Sequence, residues 1–244
     1  MHLLASATAA SDSFASAFLV MRNYHADGTR SIEWIGTLIV WFLVALSIVN
    51  VGLIGFLSMS ITRRSIAPAG LMIELKRLCD QQRYLEALEI SARDGSFFSR
   101  VLHAGLKEAS ISVTMALRRA EAVADELTVQ MLRRVEYLNV LGQVSPMIGL
   151  FGTVYGIILA FRAVVLAGGN PDPTLLAAGI GTALVATFWG LVVTVPALAS
   201  HAIIRSRVDE LTTQAEVQVE RLLTPRRGRP AGAGSTGERA GVEE

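Results

Sequence analysis

The sequence predicts an all-α membrane protein that has three transmembrane helices with long helical extensions outside the membrane. Of the 244 residues, 52% are hydrophobic and only 18% are charged, which is more apolar surface than one soluble core needs. Three long windows, residues 34–62, 137–161 and 173–204, contain no Asp, Glu, Lys or Arg. A bilayer core needs about 20 apolar residues in a helix, and each window reaches that length.

Each window must be helical because lipid offers no hydrogen-bond partner to the backbone. The second window continues as an apolar stretch past Arg162. The connection before the third window, AGGNPDPT, contains the Gly, Asn and Pro residues that are typical of a short turn. We therefore expect transmembrane helices at residues 34–62, 137–166 and 175–204.

Pairs of arginines mark one end of each window, and all three pairs fall on the same side if the spans alternate in direction. The positive-inside rule makes that side cytoplasmic, so the N-terminus is expected outside. The pairs are Arg63 and Arg64, Arg133 and Arg134, and Arg205 and Arg207.

Residues 1–23, MHLLASATAASDSFASAFLVMRN, resemble a secretion signal in part, but they lack a basic start and Asp12 interrupts them. We interpret them as an outer segment, with an interfacial helix that uses Phe14, Phe18 and Met21.

The charged residues concentrate in a cytoplasmic region between the first two spans, where apolar residues recur at helical spacing, as at Ala122, Leu127, Met131 and Val135. The helix that begins near Val113 is expected to run into the second span. The third span is expected to continue into a cytoplasmic helix, followed by a tail too rich in Pro, Gly and charge to fold. The predicted segments are 1–33 periplasmic, 34–62 first span, 63–136 cytoplasmic, 137–166 second span, 167–174 periplasmic turn, 175–204 third span, 205–223 C-terminal helix and 224–244 disordered tail.

Several classes of function are not supported by the sequence. The net charge of +1 and the lack of a basic aromatic patch argue against nucleic acid binding. Cys79 is the only cysteine, which excludes an internal disulfide and a cysteine metal cluster. No phosphate-binding loop, zinc motif or catalytic triad is present, so we expect neither an enzyme nor a cofactor.

Small residues form a stripe on each of the last two spans. The simpler interpretation is close helix packing, because small residues let backbones approach and hydroxyls bond across the contact. The alternative is that the stripe faces a lumen, where Thr153 and Thr187 offer their hydroxyls to water or to a partner helix. The stripes are Ser145, Gly149, Gly152 or Thr153, Gly156 and Ala160, and Gly179, Ala183, Ala186 or Thr187, Gly190, Thr194 and Ala197.

A hydroxyl orients a proton but does not hold one near neutral pH. The charge-free windows offer no carboxylate, and buried ionisable groups are the usual proton carriers in membrane machines. If the protein conducts protons, the carboxylate that carries them must come from another chain.

Two motifs resemble the MotA/TolQ/ExbB proton channel family, most closely its ExbB and TolQ branch. LNVLGQVSPMIGLFGTVYGIILAF is similar to the family's second membrane helix, and AAGIGTALVATFWGLVVTVPAL is similar to the third. The resemblance runs from the first span to about Leu223 and includes the cytoplasmic stretch YLEALEISARDGSFFSRVLHAGL.

The resemblance implies a homopentameric ring in the bacterial inner membrane. The ring would enclose ExbD- or TolR-like single-span partners, whose membrane aspartate carries the proton, and would drive a TonB- or TolA-like periplasm-spanning protein. By motif position, the family's pore-facing threonines correspond to Thr153 and Thr187, and its prolines, which kink the helices, to Pro146 and Pro196. The pattern often has a glutamate where this chain has Thr182, so Thr182 is either a pore residue without a titratable group or a packing hydroxyl.

Two hypotheses remain open. The leading one is an ion-driven motor stator, with the proton favoured over sodium. The alternative is a non-conducting helical scaffold in which Gly149, Gly152, Gly156 and Gly190 only pack. The sequence does not identify the process that such a stator would power.

Overall fold

The computed structural model describes residues 22–24, 30–32 and 34–224, and the described part is almost entirely helical. The helices are α1 (Trp34–Ser60), α2 (Arg63–Ile66), α3 (Ala69–Asp80), α4 (Tyr84–Arg93), α5 (Phe97–Ala109), α6 (Val113–Leu166) and α7 (Pro173–Leu223). The predicted interfacial helix at Phe14, Phe18 and Met21 and residues 225–244 of the predicted tail lie outside the described residues.

A pair of short strands precedes the first helix and was not predicted from the sequence. Strands β1 (Arg22–Tyr24) and β2 (Arg30–Ile32) pair antiparallel, with Arg22 opposite Ile32. The five residues that connect them include Asp-Gly, a dipeptide that favours hairpin connections. The apolar periodicity that predicts helices does not detect strands of three residues.

Three helices of the described chain, α1, α6 and α7, are long and apolar enough to cross a membrane. This confirms the prediction of a helical membrane protein with three candidate spans. Helix α6 has 54 residues and α7 has 51, so each is roughly 75–80 Å long at 1.5 Å per residue. A bilayer core is about 30 Å thick, so both helices continue well beyond it, as the sequence predicts.

The turn between α6 and α7 has clear stop and start signals. Gly168 and Gly169 have positive φ values of 60° and 94°, and their N–H groups donate to the carbonyls of Val165 and Val164. This left-handed ending satisfies carbonyls that a helix C-terminus leaves open. Helix α7 then begins at Pro173, just after Asp172, whose carboxylate accepts from the backbone N–H of Thr174 at 2.8 Å.

The chain divides into two compact units, and the first contains α1, the apolar parts of α6 and α7, and the two strands (described residues 22–24, 30–32, 34–65 and 127–211). In this unit Ile39, Val40 and Leu43 of α1 are buried against Ala186 of α7. Many large apolar side chains of the same helices are exposed, among them Trp34 at 77%. This burial pattern is typical of helices that expose apolar faces to lipid or to neighbouring chains.

The second unit contains α3 to α5 with the N-terminal part of α6 and the C-terminal end of α7 (described residues 66–126 and 212–224). Its core includes Phe98 and Leu102, which are fully buried. Helix α5 begins at Phe97 because the Ser96 side chain accepts a hydrogen bond from the N–H of Ser99 at 3.3 Å. This cap positions the apolar face of α5 against the rest of the unit.

Cys79 of α3 lies in the same unit and is 7% exposed. Burial, with the neighbouring charge of Asp80, raises the pKa of its thiol to about 11. A thiol with this pKa has little thiolate at neutral pH and is therefore a weak nucleophile.

Acidic side chains from α6 and α7 converge on a cavity of about 390 Å³ in the second unit. Glu216 is half-buried there, and its pKa is raised by burial and by the charges of Asp125 and Glu121. A carboxyl with a raised folded-state pKa binds more protons folded than unfolded, so this group lowers stability as the pH rises above its unfolded pKa.

We therefore expect Glu216→Gln to raise the melting temperature of the detergent-solubilised protein at pH 7 and to have no stabilising effect at pH 4. Glu220→Gln is the matched control, because Glu220 lines the same cavity but is exposed. Thermal unfolding between pH 4 and pH 8 measures the difference. Equal stabilisation by both variants at every pH would show that Glu216 is not the source of the pH-dependent loss of stability.

Candidate functional site

Glycines bring the backbones of α6 and α7 into direct contact. A Cβ atom placed at Gly156 would lie 2.6 Å from both the amide nitrogen of Ala183 and the carbonyl oxygen of Gly179. A Cβ at Gly179 would lie 2.8 Å from the amide nitrogen of Ala160. Real Cβ atoms do not approach other atoms this closely, so a larger residue would force the helices apart.

The contact continues toward the other end of the spans. A Cβ at Gly190 would lie 3.0 Å from the carbonyl oxygen of Ser145, and a Cβ at Gly149 would lie 3.1 Å from that of Ala186. Gly152 faces the side chain of Ala186 at similarly close range. We call this contact, formed by Gly149, Gly152, Gly156, Gly179 and Gly190, the glycine seam.

Thr153 and Thr187 meet at the glycine seam. Their hydroxyl oxygens are hydrogen-bonded to each other, and both side chains are half-buried. The Thr153 hydroxyl also lies 3.1 Å from the Gly149 carbonyl oxygen, and both hydroxyls lie 3.3 Å from the Ala183 carbonyl oxygen. The seam therefore places two hydroxyls from different helices side by side.

The two hydroxyls have more acceptors than protons. Each threonine donates one proton, whereas the acceptors within reach are the two carbonyl oxygens and the partner hydroxyl. Thr153 can donate to the carbonyl of Gly149 or Ala183 or to Thr187, and Thr187 can donate to the Ala183 carbonyl or to Thr153. The pair can therefore reverse its hydrogen-bond direction without moving a backbone, although it cannot store a charge.

Thr182 lies more than one turn before Thr187 along α7 and is 8% exposed. Its hydroxyl donates to the carbonyl of Ala178, four residues earlier in the same helix, at 3.0 Å. This bond satisfies the hydroxyl locally, as is common for Thr inside a helix.

Both prolines lie inside continuous helices, Pro146 in α6 and Pro196 in α7. A proline has no N–H, so the carbonyl four residues earlier loses its helical donor. Close to Pro196, the side chain of Asn50 on α1 donates to the Val193 carbonyl at 3.0 Å. This hydrogen bond connects α7 to α1 near Pro196.

Among residues 34–224, no group of His, Cys, Asp and Glu side chains has the arrangement that would bind a metal ion. The seam itself has only hydroxyls and backbone carbonyls within hydrogen-bond distance of one another. The geometry can orient a proton or a water molecule, but the seam has no side-chain base that would activate a hydroxyl as a nucleophile and no carboxylate.

The segment that contains the glycine seam matches a known protein family. The model of the MotA/TolQ/ExbB proton channel family matches residues 94–217, just over half of the chain, and the matched segment contains the whole glycine seam. The chain belongs to this family. Proteins of the MotA/TolQ/ExbB family are channels and transport components, not enzymes.

Curated relatives come from both named branches. The chain is 37% identical over 79 residues to biopolymer transport protein exbB1 of Vibrio cholerae, covering 32% of this chain and 35% of the relative. It is 40% identical over 107 residues to the Tol-Pal system protein TolQ of Haemophilus influenzae, covering 43% of this chain and 44% of the relative. It is 26% identical over 168 residues to biopolymer transport protein ExbB of Pseudomonas putida, covering 62% of this chain and 50% of the relative. These alignments span half or less of each relative's own length.

Asn50 is the residue that the sequence analysis missed. It is 1% exposed, and its side-chain oxygen is buried without a hydrogen-bond partner in the described structure. The sequence does mark this residue, because Asn50 is the only Asn or Gln in the charge-free window at residues 34–62. An intramembrane amide that faces the bundle interior indicates a specific interhelical contact.

The glycine seam predicts a contrast between two glycines of the membrane helices. Gly156→Ala should destabilise the protein by about 1–3 kcal/mol, because the new methyl group overlaps backbone atoms of α7. Gly181→Ala should be neutral or stabilising, because a Cβ there meets nothing within 4 Å and Ala favours helix over Gly by about 1 kcal/mol.

Thermal unfolding of the two purified variants measures this contrast. Both substitutions add one methyl group inside a candidate membrane-spanning helix, Gly156→Ala in α6 and Gly181→Ala in α7, so each controls for the other. An unchanged melting temperature for Gly156→Ala would show that the two backbones are not in contact.

Proposed function

We propose that this chain is the ring-forming subunit of a proton-driven motor in the bacterial inner membrane. In this proposal five copies surround single-span partners of the ExbD or TolR type, and the membrane aspartate of a partner carries the proton. The observation that carries the proposal is the hydroxyl pair at the glycine seam, together with charge-free windows around it. The membership in a proton channel family supports the same conclusion.

The role proposed for Thr153 and Thr187 is to line the proton path. Both are half-buried, so one side of the pair remains accessible while the other contacts backbone carbonyls. A passing carboxyl or water could exchange hydrogen bonds with the accessible side. For Thr182 we propose a packing role, because its hydroxyl is buried and already bonded within α7.

The proposed topology has the N-terminus in the periplasm and the C-terminus in the cytoplasm. It is supported by the arginine pairs at one end of each candidate span. The proposed work is transport across the outer membrane or its maintenance, acting through a TonB- or TolA-like protein that spans the periplasm. The support for this last step comes from relatives named as biopolymer transport and Tol-Pal proteins.

Valine replaces threonine with nearly the same shape but without the hydroxyl, so it tests the proposed path directly. Thr153→Val and Thr187→Val should each reduce partner-dependent proton flux by about ten- to a hundredfold, since hydrogen bonds to charged groups contribute about 1.5–3 kcal/mol. Thr182→Val is the matched control and should retain most of the flux.

The measurement is pH-sensitive dye fluorescence in proteoliposomes that contain the chain and its partner. Size-exclusion chromatography establishes that each variant still assembles. Flux retained by both Thr153→Val and Thr187→Val would support the scaffold hypothesis instead, in which the seam only packs.

A further inference from the structure

A second cavity lies between α6 and α7 at the end of the charge-free windows. It has a volume of about 250 Å³ and is lined by Arg133, Glu136, His201 and Arg205 together with valine and leucine side chains. Arg133 precedes the second window by one helical turn, and Arg205 directly follows the third. The cavity therefore lies where two candidate membrane spans leave the apolar region, whichever way the chain is oriented.

The carboxylate near this cavity does not pair with Arg133 or Arg205, so both arginines are available to bind an anion. Glu136 accepts a hydrogen bond from the Asn139 side chain at 2.6 Å and lies 3.7 Å from the Nε2 atom of His201. Within residues 34–224, neither Arg133 nor Arg205 forms an ion pair with a carboxylate. Two exposed guanidinium groups thus face a cavity whose only carboxylate already has other contacts.

We propose that this cavity binds the phosphate headgroup of an anionic phospholipid. Guanidinium groups bind phosphate oxygens through paired, charge-assisted hydrogen bonds. Basic pockets between membrane helices at the headgroup level are typical sites for anionic lipids. The apolar side chains Val129 and Leu132 line the remaining wall and suit the glycerol and first methylene groups of the lipid.

The size of the cavity agrees with this ligand. Pockets for drug-sized molecules have volumes of about 300–1,000 Å³, so a cavity of about 250 Å³ suits a compact headgroup better than a larger metabolite. The proposed lipid would bridge α6 and α7 at the membrane boundary, beyond the glycine seam. The proposal concerns membrane anchoring and does not depend on proton conduction.

Matched pairs of arginines make the test specific. The double variant R133Q/R205Q removes two charges from the cavity. The control R134Q/R207Q removes two charges from neighbouring positions that are also exposed but do not line the cavity. Full-length protein in detergent is titrated with phosphatidylglycerol, and native mass spectrometry measures the retained lipid.

We expect R133Q/R205Q to weaken phosphatidylglycerol retention by about tenfold or more, since each arginine near the surface contributes about a fivefold change in lipid affinity. The control R134Q/R207Q should retain the lipid as the unmodified chain does. E136Q should bind more phosphatidylglycerol, because it removes the one carboxylate of the cavity lining. E136Q also tests the proposal if the double variant fails to fold.

Three results would overturn the proposal. The first is equal loss or equal retention of phosphatidylglycerol in the two double variants. The second is equal retention of phosphatidylcholine and phosphatidylglycerol by the unmodified chain, which would mean that the cavity does not select an anionic headgroup. The third is displacement of phosphatidylglycerol by millimolar inorganic phosphate, which would identify a site for free phosphate instead.

Discussion

The direct backbone contact between α6 and α7 is the constraint on which the membrane core of this protein depends. Gly156 and Gly179 each contact backbone of the opposite helix, with no space for a side chain. This spacing brings the Thr153 and Thr187 hydroxyls within hydrogen-bond distance across the two helices. Wider spacing would separate the hydroxyls and leave each to bond within its own helix, as Thr182 does.

The charge-free windows limit the groups that the same core offers to a proton. It has hydroxyls that orient a proton, but the charge-free windows around them supply no carboxylate to hold one. In the proposed proton channel, the ionisable group therefore comes from another chain, and membership in a proton channel family supports that proposal. The proposed division of roles follows, in which this chain provides the wall and a partner provides the acid.

The sequence predicted much of this fold because its strongest signals are long and continuous. Charge-free windows of more than 20 residues identify α1, α6 and α7, and no early breaker interrupts the helix that begins at Val113. The short strands at 22–24 and 30–32 were missed because three residues are too few for a periodic pattern.

Contacts between helices were harder to predict than the helices. Spacing indicated that glycines share a face, but periodicity does not determine which residue of the opposite helix each one meets. The bond from Asn50 to the Val193 carbonyl depends on how far α1 is shifted along α7, which no local pattern encodes. The cavity at Arg133 and Arg205 combines residues 72 positions apart, so it too required the three-dimensional structure.

The most direct test of this account is proton conductance of the chain reconstituted alone, compared with the chain reconstituted together with the proposed single-span partner. The account predicts that vesicles with this chain alone conduct no more than empty vesicles, and that conductance appears when the partner is added and disappears when the partner's membrane aspartate is replaced by asparagine. Sustained proton conductance by the chain alone would contradict it, because conduction would then need no carboxylate from another protein.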